Sequence, residues 1–418
     1  MMADWMPTPK NADGTLAWLR DRNRQRVMEM LRMHGQISQA DIARSTGLSR
    51  TTVSTLVAEL KEAGLVADID TKAAPARGGR PGVQLVLRNP SQVVVGIDFG
   101  HSHVAIAVSD LGHNVLAERW YDLDVSREAA RALDVAADLF AEVLSEVAVE
   151  RTSVLGVGMG VPGPVDRATG TAGSATILPG WVGLRIAGEM EQRLGIPVRI
   201  ENDANLGALA ELTWGAGRDC SNFAYIKAAT GIGAGIVIDG RLLRGATGTA
   251  GEIGHTTLDE SGALCYCGNR GCLETVASGP AIVQLVGPVN GESLTLSQIV
   301  ERASGGDVRC RRAVADAGRE IGVAVAGLCN LINPERVIVG GLMSRAGEVL
   351  LRPLRESIRR HAVQAAAETV DVRAAVFVER AELLGSVALA LLGSHEAETA
   401  RARNSLPLAP ARLLNRPD

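Results

Sequence analysis

Val27, Met30 and Leu31 share one face of a helical pattern that stops near Gly35. Ser38, with Asp41 three residues on, predicts the N-cap of a short helix carrying Ile42 and Ala43, and Gly47 predicts its end. Ser49 then caps a third helix, in which Val53, Leu56, Val57 and Leu60 recur at i, i+3, i+4 and i+7 before Gly64. Short helix, tight glycine turn and longer helix make a helix-turn-helix plan. Two short apolar runs, Leu65 to Ile69 and Val83 to Leu87, flank a tip reading Ala-Arg-Gly-Gly-Arg-Pro-Gly, which predicts a β-wing. After Asn89-Pro90 the pattern changes to buried strand-like runs alternating with helices. Val93 to Ile97 leads into Asp98-Phe99-Gly100, and Val104 to Val108 turns at Asp110-Leu111-Gly112. Val154 to Met159 leads into Gly160-Val161-Pro162-Gly163-Pro164, and Val198 to Ile200 leads into Glu201-Asn202-Asp203. Strands that deliver polar loops at their C-terminal ends are the α/β arrangement that builds ligand sites. Residues 1–19 and 396–418 lack an apolar face and are expected to be disordered.

The length of 418 residues allows a small domain and a large two-lobed one, each with its own core. No apolar run reaches the roughly 18 residues that span a bilayer, and Met1 to Asp13 lacks a basic-then-apolar signal pattern. A cytoplasmic protein with no membrane partner is expected. The net charge of −4 argues by itself against nucleic-acid binding, but its distribution reverses that argument. From Arg20 to Arg88 there are 12 Lys plus Arg against 7 Asp plus Glu, so that segment is +5 and the remainder −9.

On the third helix the buried stripe leaves Thr51, Ser54 and Thr55 facing outward, with Ser49 and Arg50 at its start. Small hydroxyls permit close approach to base edges and phosphates, and Arg can engage guanine in a bidentate way. Arg77 and Arg80, held between glycines and a proline, suit a narrow and strongly negative minor groove. The plainer readings are a solvated helix face and a flexible basic linker. Helix-turn-helix, wing and positive charge together favour double-stranded DNA as a partner.

Three of the six cysteines crowd between Cys265 and Cys272 in a Cys-x-Cys-x4-Cys run, with His255 ahead of it. Three thiolates and one imidazole are the ligand types of a tetrahedral zinc site, against the alternative of a free-thiol cluster.

From Arg20 to about Leu392 the chain resembles the ROK family of repressors and sugar kinases. The motifs are GVPGPVD at 160–166, LPGW at 178–181, ENDAN at 201–205, GEIGH at 251–255 and CYCGNRGCLE at 265–274. The resemblance implies an α/β fold: a winged helix-turn-helix at 20–88, then a two-lobed actin-like, ribonuclease H-like sugar-kinase domain at 91–395 with a hinge near 200. It implies structural zinc on His255, Cys265, Cys267 and Cys272. It implies a sugar site of Gly163, Asn202, Asp203, Glu252, His255 and Glu274, where Asp203 matches the kinases' general base and is expected to serve sugar binding only.

The phosphate end departs from the kinase pattern. Active relatives read Asp-x-Gly-Gly-Thr where this chain has Asp98-Phe99-Gly100-His101-Ser102. A side chain at the second glycine obstructs backbone approach to phosphates, which argues against ATP binding. The second loop, Ala229 to Gly235, has lost its first glycine, whereas Val337 to Gly341 (VIVGG) resembles the nucleoside-side turn. Ile177 stands where many relatives carry Asn. The expected function is a DNA-binding regulator of carbohydrate genes, a repressor by family analogy, working as a homodimer or dimer of dimers with a sugar effector. The alternative is an ATP-dependent sugar kinase with an added DNA-binding domain.

Overall fold

The computed structural model describes residues 20, 23–24, 26–28, 30–31, 34–62, 65–69, 83–87, 92–163, 165–166, 169–172, 178–289 and 291–404, with backbone alone beyond 394. Of the expected features, residues 1–19, Gly64, the wing tip with Arg77 and Arg80, Ile177 and residues 405–418 lie outside the described set. Contacts divide the chain into two units, Met1–Gln92 with Asp110–Asn114, and Val93–Ser109 with Val115–Asp418.

In the first unit, helical residues within 20–34 precede β1 (Gln36–Ser38), α1 (Gln39–Thr46), α2 (Arg50–Glu62), β2 (Val66–Ile69) and β3 (Gln84–Leu87). Ser38 caps α1 by accepting the Asp41 N–H at 3.1 Å, and Gly47 closes the helix in the left-handed conformation at φ 68°. Val27, Leu31, Ile42, Val53, Leu56, Val57, Leu60, Val66 and Leu85 form one buried cluster. The apolar periodicity therefore does place the core face. The strands form an antiparallel sheet in the order β1-β3-β2, with Val66 opposite Leu87 and Ile37 opposite Leu85. The three residues of β1 are too few to carry a period-2 pattern, and tertiary pairing with β3 alone makes them a strand.

The second unit contains two lobes built on one plan. In the first, β4 (Val93–Phe99), β5 (His103–Asp110), β6 (Val115–Asp122), α3 (Ala129–Glu146), β7 (Val154–Val161), the small hairpin of β8 (Val165–Asp166) and β9 (Thr171–Ala172), α4 (Ile186–Leu194) and β10 (Val198–Asn202) follow one another. Its sheet runs β10-β7-β4-β5-β6, with the β10-β7 and β7-β4 pairs parallel and β5-β6 antiparallel. All seven residues of β4 are buried, as a strand covered on both faces requires. Trp181 anchors the LPGW turn in this core, donating its indole N–H to the Val125 carbonyl at 2.6 Å.

α5 (Asp203–Thr213) leads to the second lobe, made of β11 (Phe223–Ala228), β12 (Ile232–Ile238), β13 (Arg241–Leu243), α6 (Glu274–Ala277), α7 (Gly279–Val286), α8 (Leu296–Ser304), α9 (Val308–Ile332), β14 (Arg336–Gly340), α10 (Glu348–His361), α11 (Gln364–Thr369) and β15 (Asp371–Ala374). Its sheet, β13-β12-β11-β14-β15, repeats the first lobe's mixture of parallel and antiparallel pairs. The last helix, α12 (Ala381–Asn404), returns to the first lobe and packs on β4 and β7. There Gly158 is required by close approach, because a Cβ would lie 2.0 Å from the Ser386 carbonyl oxygen. Within the tail expected to be disordered from 396, the backbone of α12 is described as far as Asn404. Residues 396–403 read Glu-Ala-Glu-Thr-Ala-Arg-Ala-Arg, mostly strong helix formers that prolong a helix already nucleated by packing.

Candidate functional site

A cavity of about 500 Å³ opens in the second unit where the end of β7, the β10–α5 junction, β12 and the 251–275 segment converge. Gly163, Asn202, Asp203, Glu252, His255 and Glu274 all line it, so strand ends and loops distant in sequence bring the six expected sugar residues together. Asn202 caps α5, its Oδ1 accepting the Asn205 N–H at 2.8 Å, which leaves Asp203 at the first helical position with its carboxylate in the cavity. Glu201 is buried beneath them and accepts from Asn205 Nδ2 at 3.0 Å and Arg244 Nε at 2.6 Å. Arg244 thus fixes the motif from behind.

Glu252 follows Gly251, whose φ of 98° and whose missing Cβ, which would sit 1.9 Å from the Ala234 oxygen, make glycine obligatory there. Burial pushes the Glu252 carboxyl above its ordinary range, and His255 opposes the shift. Glu274 accepts the Ile232 N–H on Oε1 at 3.0 Å. Its Oε2 is buried and makes no hydrogen bond of ordinary geometry among the described residues, although the Tyr266 hydroxyl is near enough to interact with the carboxylate. A desolvated acceptor without a hydrogen bond is costly, and a donor group of a bound ligand would relieve that cost.

Asp203 Oδ2 accepts from Lys227 Nζ at 2.9 Å, and the same ammonium donates to Glu382 Oε1 at 2.5 Å. Burial opposes the lysine's charge, but the two carboxylates outweigh it and hold its pKa well above the ordinary range. For Glu382, burial pushes the carboxyl up while Lys227 draws it back. Sequence reasoning missed both residues. The signal for Lys227 was a lone charge in the otherwise apolar run Phe223–Ala228; Glu382 gave none.

Lys227 also lines a second cavity, of about 620 Å³, with Asp98, His101, His103, Ala229 and Gly341. His101 occupies the wall common to both cavities, and its Nδ1 lies 3.3 Å from Ser126 Oγ. Burial lowers its pKa. His103 pairs with Asp98 at 3.1 Å; burial opposes its charge, but the carboxylate outweighs burial and raises its pKa.

His255 and the three cysteines of the 265–272 run meet beside the first cavity, with ligand atoms all within 4.8 Å of one another. Cys265 Sγ lies 3.6 Å from His255 Nδ1, and Cys267 Sγ lies 3.7 Å from Cys272 Sγ. Zinc–sulfur bonds of about 2.3 Å at tetrahedral angles place ligands about 3.7 Å apart, so the four residues fit a tetrahedral ion. Gly271 lets the loop close, since a Cβ there would sit 1.6 Å from the Asp259 oxygen. With Nδ1 turned to the thiols, His255 presents Nε2 to Tyr266 Oη at 3.2 Å and to Glu252 Oε2 at 4.0 Å. A metal on this cluster can orient a histidine that faces the cavity.

In the first unit, Ser49, Arg50, Thr51, Ser54 and Thr55 are all exposed along one side of α2, opposite the buried Val53, Leu56, Val57 and Leu60. Ser49 Oγ accepts the Thr52 N–H at 3.0 Å, confirming its capping role, and Thr55 Oγ1 donates to the Thr51 carbonyl at 3.0 Å. No helix of the described residues is long and apolar enough to cross a membrane.

Comparison with known proteins gives the same two parts. A model described as winged helix-turn-helix DNA-binding matches residues 20–67. The chain is 31% identical over 391 residues to a xylose repressor of Caldicellulosiruptor bescii, covering 90% of this chain and 97% of that protein. Among solved structures, a ROK family transcriptional regulator described as a homolog of the Escherichia coli Mlc protein aligns with a TM-score of 0.72 and 28% identity, over 92% of this chain and 98% of the other. A ROK hexokinase from Thermus thermophilus aligns with a TM-score of 0.63 and 32% identity, over 73% of this chain and all of the kinase. The family therefore holds regulators and enzymes alike. A model described as the ROK family matches residues 94–392, and the chain belongs to that family, with a winged helix-turn-helix domain at its N-terminus.

Proposed function

We propose that this protein is a sugar-responsive transcriptional repressor whose winged helix binds an operator and whose ROK domain binds the sugar that releases it. The observation that carries the reading is the joining, in one chain, of an exposed hydroxyl-and-arginine face on α2 to a cavity holding Asn202, Asp203, Glu252, His255 and Glu274. Paired donors and acceptors of fixed orientation are what selective recognition of sugar hydroxyls needs. Ser49, Arg50, Thr51, Ser54 and Thr55 enter the major groove, and Arg77 and Arg80 of the wing reach the minor groove. The protein acts in the cytoplasm as a homodimer or dimer of dimers, because two half-sites require two winged helices at fixed spacing. Sugar binding closes the lobes about a hinge near residue 200 and shifts the population away from the DNA-competent state. The relationship to a xylose repressor makes pentoses the first effectors to test.

Titrating pentoses and hexoses into a complex of the protein with DNA from its own promoter region tests this. At least one sugar is expected to release the DNA. Failure to bind DNA, or indifference of the complex to every sugar, overturns the reading.

Zinc on His255, Cys265, Cys267 and Cys272 is the metal this donor set fits, and four protein ligands make it structural rather than Lewis-acidic. The relatives that are kinases make catalysis the second reading. Against it stand His101 and Ala229 in the phosphate loops, and Lys227, whose ammonium occupies the kinase-type base Asp203 in an ion pair at 2.9 Å. With ATP, magnesium and a hexose panel the purified protein is expected to show no turnover. A rate in the ordinary kinase range of about 1 to 100 per second overturns that expectation.

A further inference from the structure

We propose that the effector is an uncharged sugar, and that the ion triad of Lys227, Asp203 and Glu382 excludes sugar phosphates from the site. The proposal deepens the sugar-effector reading and rests on it. A sugar seated on Asn202, Glu252 and Glu274 in the first cavity would place a phosphate substituent in the passage shared with the second cavity, beside His101, Asp203, Lys227 and Thr230. Among the described residues, that passage offers an anion no uncommitted lysine or arginine. The Lys227 ammonium donates to Asp203 at 2.9 Å and to Glu382 at 2.5 Å, so the three groups together carry a negative charge. Arg380, the other lysine or arginine lining either cavity among the described residues, donates to Glu118 at 2.5 Å. His103 faces Asp98 at 3.1 Å.

Two N–H groups of the glycine-rich loop are also taken. The Ile232 N–H, which a phosphate would otherwise claim, is taken by Glu274 Oε1 at 3.0 Å, and the Ala229 N–H is taken by the Gly231 carbonyl at 3.1 Å. A dianion in the passage meets Asp203 directly and Glu382 just behind Lys227, in a half-buried setting where like charges repel more strongly than in water. Neutral hydroxyls face the opposite situation. They can donate to the carboxylate oxygens of Asp203 and Glu252 and to the buried Oε2 of Glu274, which makes no hydrogen bond among the described residues. The triad therefore admits polyols and turns away their phosphate esters.

The test uses the full-length protein and calorimetric titration of D-xylose, D-glucose and N-acetyl-D-glucosamine, each against its own terminal phosphate ester. For whichever sugar binds, the ester is expected to bind at least about tenfold more weakly. In Glu382→Gln, which leaves Lys227 a single carboxylate partner, the ratio of sugar to ester affinity is expected to narrow by about tenfold. An ester that binds as tightly as its parent sugar overturns the proposal and leaves a sugar-derived effector intact. A ratio unmoved by Glu382→Gln overturns the role given to the triad. If no sugar in either form binds, the sugar-effector reading itself fails, and the proposal with it.

Discussion

Replacing Cys272 by serine is expected to strip the metal from the protein and to weaken sugar binding by about 10- to 100-fold. Cys272 is fully buried, its sulfur 3.7 Å from Cys267 Sγ, and the chain on either side is held to the cavity wall by backbone bonds from Leu273 N to Thr256 O at 2.9 Å and from Leu258 N to Gly271 O at 2.8 Å. A serine hydroxyl stays protonated and is a poor ligand for an ion otherwise held by soft thiolates. A structural zinc contributes about 10 to 16 kcal/mol of apparent binding free energy in small zinc-binding peptides, so losing one of four ligands is severe. The consequence for the sugar is positional. Glu274 lies two residues beyond Cys272, and His255 supplies Nδ1 to the cluster and Nε2 to the cavity side, so an unlatched loop misplaces both. Elemental analysis should fall from about one zinc per chain to below about a tenth, while DNA binding without sugar persists because the winged helix has a separate core. A variant that retains metal and sugar affinity would falsify the zinc assignment.

The metal cluster was legible in the sequence because three of its ligands lie within one short loop, where spacing alone constrains geometry. The same holds for α2, whose i, i+3, i+4, i+7 stripe is a local property of one helix. The ordered motifs around Asn202, Glu252 and Glu274 placed the cavity residues because each sits at a strand end or tight turn that leaves a local mark. What escaped was tertiary. Asp203 meets Lys227 across 24 residues and Glu201 meets Arg244 across 43, and no periodicity links such partners. Asp203 therefore read as the counterpart of a kinase's base kept for sugar binding, with nothing in the sequence to point to the Lys227 ammonium that the fold sets beside it. The strand β1 and the continuation of α12 to Asn404 were hidden for a related reason: each borrows its order from elements it packs against or extends.

Glu274→Gln is expected to weaken the effector sugar by roughly 10- to 150-fold, the equivalent of losing about 1.5 to 3 kcal/mol from a hydrogen bond to a charged group. The substitution is close to isosteric, and the Gln carbonyl can keep the Ile232 N–H that Oε1 now accepts at 3.0 Å, so the fold of the loop should survive. The atom that changes is the buried Oε2, which becomes an NH₂ donor where a sugar hydroxyl had a carboxylate to donate to. Because the winged helix is untouched, binding to the operator without sugar should stay within about twofold of the parent. The sugar concentration that releases half the DNA should rise by the same factor as the dissociation constant, since linkage makes the two effects reciprocal. In cells such a variant behaves as a repressor that no longer responds to ordinary sugar levels. A release midpoint that stays fixed while sugar affinity falls would mean that the cavity is not coupled to the DNA-binding state, and a fixed affinity would remove Glu274 from the sugar site.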